Sequence, residues 1–391
     1  MNRLRIAGLG LVLVLFLSAC GEERAEVAGT YDEAAETAKG TTVNFYLWGG
    51  DEGINRYLDE YVAPRLASSH DIELNRVPMD TAEFVRQLSL DKQADRERGT
   101  IDLMWINGDN FRNAAEADLL TGGLLERIPN ASLLNETAQA TDAGTPTDGL
   151  EVAWGNVQFV LHYDADHVKN PPETFEQLIR WTEENPGRFT YPEVTDFTGN
   201  AFIRHLLYAE YGESLRDMET IPEAFWDELA AWSPNLWKQG ETYPKSLAQL
   251  DQLYANGDVW MTMGFNERRA EAEVNADVFP DSTRALVLDH SIASTHFLAV
   301  PFNAPNPNGA IVVINELLAP EVQLMKQQDT YWGDGTSLDL EKLDEGDREA
   351  FLSLDAGRTY PDPERLSERQ VPDYGPNVID LVREGWTRVA R

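Results

Sequence analysis

The sequence is short of cysteine, of clustered histidine, of positive charge and of long apolar runs, and each shortage excludes a class of protein. Cys20 is the only cysteine among 391 residues, so no disulfide can form within the chain and stability has to come from an apolar core. The six histidines (His70, His162, His167, His205, His290 and His296) never stand at the i, i+2 or i, i+4 spacing that lets neighbouring imidazoles share a metal. Lysine and arginine number 32 against 67 acidic residues, a net charge of -35. Nucleic acid is thereby excluded as a partner, because phosphate binding needs clustered basic residues. A Gly-x-Ser-x-Gly elbow, a His-Glu-x-x-His helix and a phosphate loop ending in Gly-Lys-Ser/Thr are all missing. No catalytic residue, metal site or cofactor is therefore expected. Carboxylates are so numerous that a secreted hydrolase working through two of them stays open as the alternative.

The longest apolar run, Ile6 to Leu17 behind Arg3 and Arg5, is well short of the ~20 residues a spanning helix needs. With Ser18 and Ala19 after it, the run reads as an export signal. Residues 21–39 are polar, acidic and without a sustained apolar period, and read as a flexible tether outside the fold. The remainder is a different matter: 42% of the whole chain is hydrophobic and 10% aromatic, enough for a folded body of more than one lobe. The acidic excess suits either solubility in a saline exterior or the steering of cationic solutes.

Strand and helix patterns alternate. Val43 to Trp48 is a β-rich run broken by Gly49-Gly50-Asp51-Glu52-Gly53, and a helix follows with its apolar residues at 3,4 spacing and Pro64 disturbing it near the end. The spacing then predicts a strand at 72–77, a helix at 81–92, a strand at 101–106 and a helix at 111–120, which is βαβ logic. Val152 to Tyr163 is long and β-prone, fit to bridge two lobes. A second α/β region follows, with a helix at 174–184, strand at 188–191, helix at 201–211, strand at 259–265 and helix at 267–273. Residues 292–301 are β-prone again, and Ala310 to Leu318 reads as a buried helix.

Open α/β sheets bind ligands at the carboxyl ends of their strands, which singles out three turns. Trp48-Gly49-Gly50-Asp51 offers an aromatic face and a carboxylate before a helix N-terminus; the alternative is that Asp51 caps that helix. In Asn107-Gly108-Asp109-Asn110 amide groups stand beside a permissive glycine, with Asp109 or Asn110 as N-cap being the alternative. Asp196-Phe197-Thr198-Gly199-Asn200 has the same form, Thr198 being fit to cap a helix or to hold a ligand oxygen. Gln158, Trp260, Asn266, Ser294 and His296 complete the candidates, on or beside segments that would line a cleft; Trp260 is alternatively core and His296 alternatively structural.

Leu17-Ser18-Ala19-Cys20 resembles the lipobox of bacterial lipoproteins, which implies that Cys20 carries a lipid and anchors an exported protein to the membrane, in the periplasm or at the cell surface. The strings Asn44-Phe45-Tyr46-Leu47-Trp48-Gly49-Gly50, Asp102-Leu103-Met104-Trp105-Ile106-Asn107-Gly108, Asn185-Pro186-Gly187-Arg188-Phe189-Thr190-Tyr191-Pro192 and Tyr331-Trp332-Gly333-Asp334 resemble the YnjB-like family of ABC importer substrate-binding proteins. This resemblance implies a two-lobed α/β fold of the type II periplasmic-binding-protein kind, hinge strands between the lobes, and a monomer that delivers a small polar solute to a permease and its ATPase. The expected division is signal peptide 1–20, tether 21–39, lobe 1 at 40–152, lobe 2 at 153–292, and a return to lobe 1 with C-terminal helices over 293–391. Relatives in the wider superfamily bind ferric iron, thiamine or polyamines, but the adjacent tyrosine pair of the ferric site is missing. Aromatic faces with carboxylates suit a cationic or thiamine-like solute, while helix N-termini suit an anionic or hydroxyl-rich one.

Overall fold

The protein is described by a computed structural model over residues 24–50, 52–328, 330–354, 357–373, 375–387 and 389. The signal segment, Cys20 and Asp51 lie outside these described residues. Eleven strands carry the described fold: β1 (Thr41–Leu47), β2 (Ile72–Pro78), β3 (Leu103–Ile106), β4 (Thr141–Asp142), β5 (Thr145–Pro146), β6 (Glu151–Gln158), β7 (Val160–Asp164), β8 (Met261–Gly264), β9 (Thr283–Leu286), β10 (Ser291–Ala299) and β11 (Gln370–Pro372). In the larger sheet β2, β1 and β3 run parallel, β10 lies antiparallel to β3 and β6, and β11 adds parallel to β10. The smaller sheet orders β8, β7 and β9, all antiparallel neighbours, and β4 with β5 is a separate hairpin.

The expected βαβ units are present, with crossover helices at 52–70 and Thr81–Gln93. β3 reads as nearly continuous in apolar residues because it is covered on both faces: Leu103 and Trp105 face one core, Met104 and Ile106 another. Pro64 does not break its helix. A π turn at Tyr57–Val62 inserts a residue just before it, so that Ala63 N donates to Leu58 O five positions back. Helix Pro307–Leu317 is buried almost throughout, as its all-round apolar sequence requires, and Asn306 caps it by accepting from Gly309 N at 2.9 Å.

The bridging expectation for Val152 to Tyr163 holds. β6 stays paired with β10 in the larger sheet through Gln158, and after Phe159 the same chain enters the smaller sheet as β7. The change from the larger to the smaller sheet accordingly falls at Phe159. Lobe 2 has its own aromatic core, in which Tyr191 stacks on Phe202 with centroids 4.9 Å apart and lies nearly parallel to Trp232.

Two expectations fail for identifiable reasons. The tether 21–39 is in part structured: Tyr31–Ala38 is a helix whose Ala34 and Ala38 are fully buried against helix Pro307–Leu317, with Thr30 as its cap. The C-terminal helix Pro376–Trp386 packs Val378, Val382 and Trp386 into the lobe 2 core. Residues 188–191 form no strand; Arg188 O and Phe189 O accept from Trp260 N and Trp237 N, outside any ladder.

Candidate functional site

β10 has two edges. β6 occupies one over residues 293–299, while on the other Phe297–Ala299 pair with β3 and Ser291–Ala293 pair with β11. Ser294, Thr295 and His296 have no strand on that second edge, and there the sheet opens into a cavity of about 400 Å³ between the lobes. Asn107, Gly108 and the β4–β5 hairpin wall it from lobe 1. Phe197, Pro372, Asp373 and Ile379 wall it from the other side. The lobes meet across the mouth: Gly144, at the hairpin tip with φ +83°, sits so close to Gly375 that an added Cβ would lie 3.5 Å from its nitrogen.

Asn107 continues the interrupted ladder with its side chain. Its Oδ1 accepts from Phe297 N and from Trp105 Nε1, each at 3.1 Å, and its amide donates to His296 Nδ1 at 3.4 Å. Asn107 lines the cavity, and a primary amide carries a second N–H donor. Because Nδ1 of His296 accepts, Nε2 carries the ring proton and faces Asp334 Oδ1 at 3.4 Å. Asp334 is fully buried and ion-paired with Lys326, which also donates to Trp154 O and Gly335 O. Gly155 permits this approach, since a Cβ there would meet Asp334 Oδ2 at 2.2 Å. A buried polar chain thus fixes the orientation of one cleft amide.

The electrostatics of the cavity are acidic. Burial raises the Asp142 carboxyl to about 7, against the opposing hydrogen bond from Gly108 N and with help from Asp109. Burial likewise holds Glu151, behind the hairpin, well above the ordinary carboxyl value, and Asp142 adds to that. Asp373 is neutralised by an ion pair with fully buried Arg204. No lysine, arginine or histidine stands among the described lining residues.

Of the residues singled out in the sequence, Asn107 and Ser294 line the cavity. Gln158 lies just beneath and donates to Gln370, itself in the lining. His296 is not in the lining and acts on the cavity through Asn107. Asn266, in the left-handed region at φ +70°, donates to Trp332 O and ties lobe 2 to the 331–334 segment. Asp109 and Asn110 open helix Asp109–Glu116; Asp109 pairs with Arg112 at 3.0 Å and is acted on by Asp380 and Arg383 from the far lobe. Trp48 stands 48% exposed after β1, outside the enclosed space.

In the turn at 196–200 Phe197 faces the cavity, while the other four residues are tied into the scaffold. Asp196 Oδ1 accepts from Thr198 N and Gly199 N, and its Oδ2 from Leu247 N, so the carboxylate caps helix Phe197–Tyr211. Thr198 is buried, and Gly199 is needed because a Cβ would fall 2.2 Å from Pro192 O. Asn200 bonds Arg204 and Ile379 O. Trp260 is misplaced as a ligand wall, because β8 runs antiparallel to β7 and its first residues lie at the end remote from the hinge. There Trp260 stacks on His167, under the Arg188 guanidinium. Phe197 stands in one of the three turns named from the sequence, though not among the candidate contacts; Asp142, Gln370, Asp373 and Ile379 have no such signal beyond the turn Asp142-Ala143-Gly144, within a stretch read only as loop.

Over residues 61–339 the chain matches the family of bacterial extracellular solute-binding proteins. It is similar to protein YnjB of Escherichia coli strain K12, with 35% identity over 338 residues that cover 83% of this chain and 87% of the relative. Its fold is shared with an ABC transporter protein of Clostridium perfringens, at a TM-score of 0.66 and 19% identity, covering 89% of this chain and 100% of that one. It is shared too with the spermidine/putrescine substrate-binding protein PotD of Streptococcus pneumoniae, at 0.63 and 16%, covering 90% and 100%.

Proposed function

The chain belongs to the bacterial extracellular solute-binding proteins, and from that premise we propose that it captures a small cationic organic solute between its lobes and hands it to the permease of an ABC importer. The observation that carries the solute class is the charge of the cavity: its described lining includes Asp142 and Asp373 and no basic side chain, and only Asp373 is neutralised by a basic neighbour. Phe197, Pro372 and Ile379 give a hydrocarbon or aromatic portion something to lie against, and a cation gains from an aromatic face. Asn107 adds one directed donor for an oxygen of the solute.

The hinge runs through Phe159 and the start of β10. Contact between the hairpin tip and Gly375 belongs to the closed arrangement, which bound solute stabilises and the permease recognises. Cys20 carries the lipid that keeps the carrier at the membrane; no helix among the described residues is long and apolar enough to cross one. Family membership favours this transport role over the hydrolase alternative.

A thermal-shift screen of the chain from residue 21 onward against amines, vitamins, amino acids, sugars and anions tests the reading. A true solute at a hundred times its dissociation constant stabilises by about 2.7 kcal/mol, a shift of several degrees. Shifts produced only by anions or neutral sugars would overturn the cationic assignment.

A further inference from the structure

Two carboxyls stand together behind the cleft without a basic partner among the described residues. Asp142 is 4% exposed and accepts one described hydrogen bond, from Gly108 N. Glu151 has no exposed surface, and neither of its carboxyl oxygens has a hydrogen-bond partner among the described residues. An ionised carboxylate in such a place costs several kcal/mol, which protonation avoids. The charges around them are acidic: Asp109 on the helix after β3 acts on Asp142, and Asp142 and Glu151 act on each other. Arg112 and, from the far lobe, Asp380 and Arg383 act on Asp109. Glu136 on the neighbouring helix faces Lys342, and Asp373 faces Arg204. Asp142 also lines the cavity.

Resting on the capture of a solute in this cleft, we propose that Asp142 and Glu151 form a proton-loaded cation subsite, in which an ammonium group seated against Asp142 takes the place of the proton held there. On binding, the O–H bond of the Asp142 carboxyl breaks and its electron pair remains on the carboxylate. The proton passes to solvent, and an N–H of the cation donates to the carboxylate in its stead. One positive charge replaces another, so below about pH 7 the buried site holds no uncompensated anion before or after binding. Glu151 stays protonated and, as a neighbouring acid, keeps Asp142 reluctant to ionise until the cation arrives. The raised values of both groups accord with this.

Isothermal titration of the chain from residue 21 onward with propylamine and with 1,4-diaminobutane, in two buffers of different ionisation heat, reads the proton directly. Release of close to one proton per cation is expected near pH 6 and almost none near pH 9, with affinity rising about tenfold per pH unit below about 7 and level above it. Asp142→Asn abolishes the release and makes affinity independent of pH. In the wild type, a protonated-carboxyl infrared band disappears on adding the amine, a measurement that needs no variant. Amine binding without buffer-dependent heat, undiminished release from Asp142→Asn, or failure of both amines to bind overturns the subsite. If a sugar or an anion binds in the cleft where the amines do not, solute capture stands and this subsite falls. If no solute of any class binds, both fall.

Discussion

Lys326 Nζ lies 2.9 Å from Asp334 Oδ2, and neither side chain has any exposed surface. Burial works to raise the Asp334 carboxyl, but the Lys326 ammonium and His296 more than offset it and hold it below its ordinary value. The stabilisation is present above the unfolded value and is lost as pH falls through the folded one. Removing one partner strands the other charge in the interior, so Asp334→Leu should lose about 3–5 kcal/mol in urea unfolding at neutral pH. Combining it with Lys326→Met should recover most of that loss, and failure to recover would show that the pair is not the source.

The carboxyls behind the hairpin give a pH dependence of opposite sign. Asp142 titrates near 3.8 when exposed and at about 7 in the fold, and Glu151 is raised as well. Between those values the folded state holds protons that the unfolded state has lost. Stability should therefore fall as pH rises from about 4, and go on falling above about 7 for as long as Glu151 keeps its proton. Glu151→Gln removes its part of the fall, so its Tm should exceed that of the wild type by a few degrees near pH 8 and match it near pH 4.

Much of this fold was legible because local pattern and tertiary role agree: β3, the β6–β7 crossover and helix Pro307–Leu317 all stand where apolar period placed them. The candidate site was less legible, for a physical reason. A capping carboxylate and a ligand-binding one have the same sequence signature, and what separates Asp196 from Asp142 is the number of nearby amide donors: Asp196 accepts from Thr198 N and Gly199 N of its own helix and from distant Leu247 N, Asp142 from Gly108 N alone among the described residues. Trp260 was misjudged because the direction of β8 relative to β7 depends on pairing, which no local pattern encodes. The role of Asp373 depends on Arg204, 169 residues away.

That distinction predicts a contrast between adjacent residues. Asp196→Ala deletes the helix cap and the bond to Leu247 N, and should lower stability by about 0.5–2 kcal/mol while leaving solute affinity unchanged. Phe197 is 56% exposed and projects into the cleft. Phe197→Ala should change stability by no more than ~0.5 kcal/mol and weaken binding roughly tenfold. Melting curves and titrations on the two variants decide the matter, and exchanged phenotypes would reverse the assignment.

Trp48 separates rim from cavity. Its ring is 48% exposed at the carboxyl end of β1 and packs on Gly50, where an added Cβ would fall 2.3 Å from the ring. Trp48→Ala should leave Tm within about two degrees of the wild type and reduce affinity for any solute whose apolar part reaches the rim. Unchanged affinity across the whole set of bound solutes would place Trp48 outside the binding surface.

The N-terminal helix makes the last test. Tyr31–Ala38 buries Ala34 and Ala38 against helix Pro307–Leu317, and the residues before it are tied down as well: Ala28 N donates to Asn308 Oδ1, Arg127 Nε to Ala28 O, and Asn308 Nδ2 to Glu26 O. If these residues were only a tether, a chain beginning at residue 40 would melt with one beginning at residue 24. Because their removal uncovers the apolar face of a core helix and leaves Asn308 without two partners, the shorter chain should melt several degrees lower, with the loss coming from lobe 1. Hydrogen exchange should show the change in helix Pro307–Leu317 and β1, which pack against each other, and leave the lobe 2 core protected.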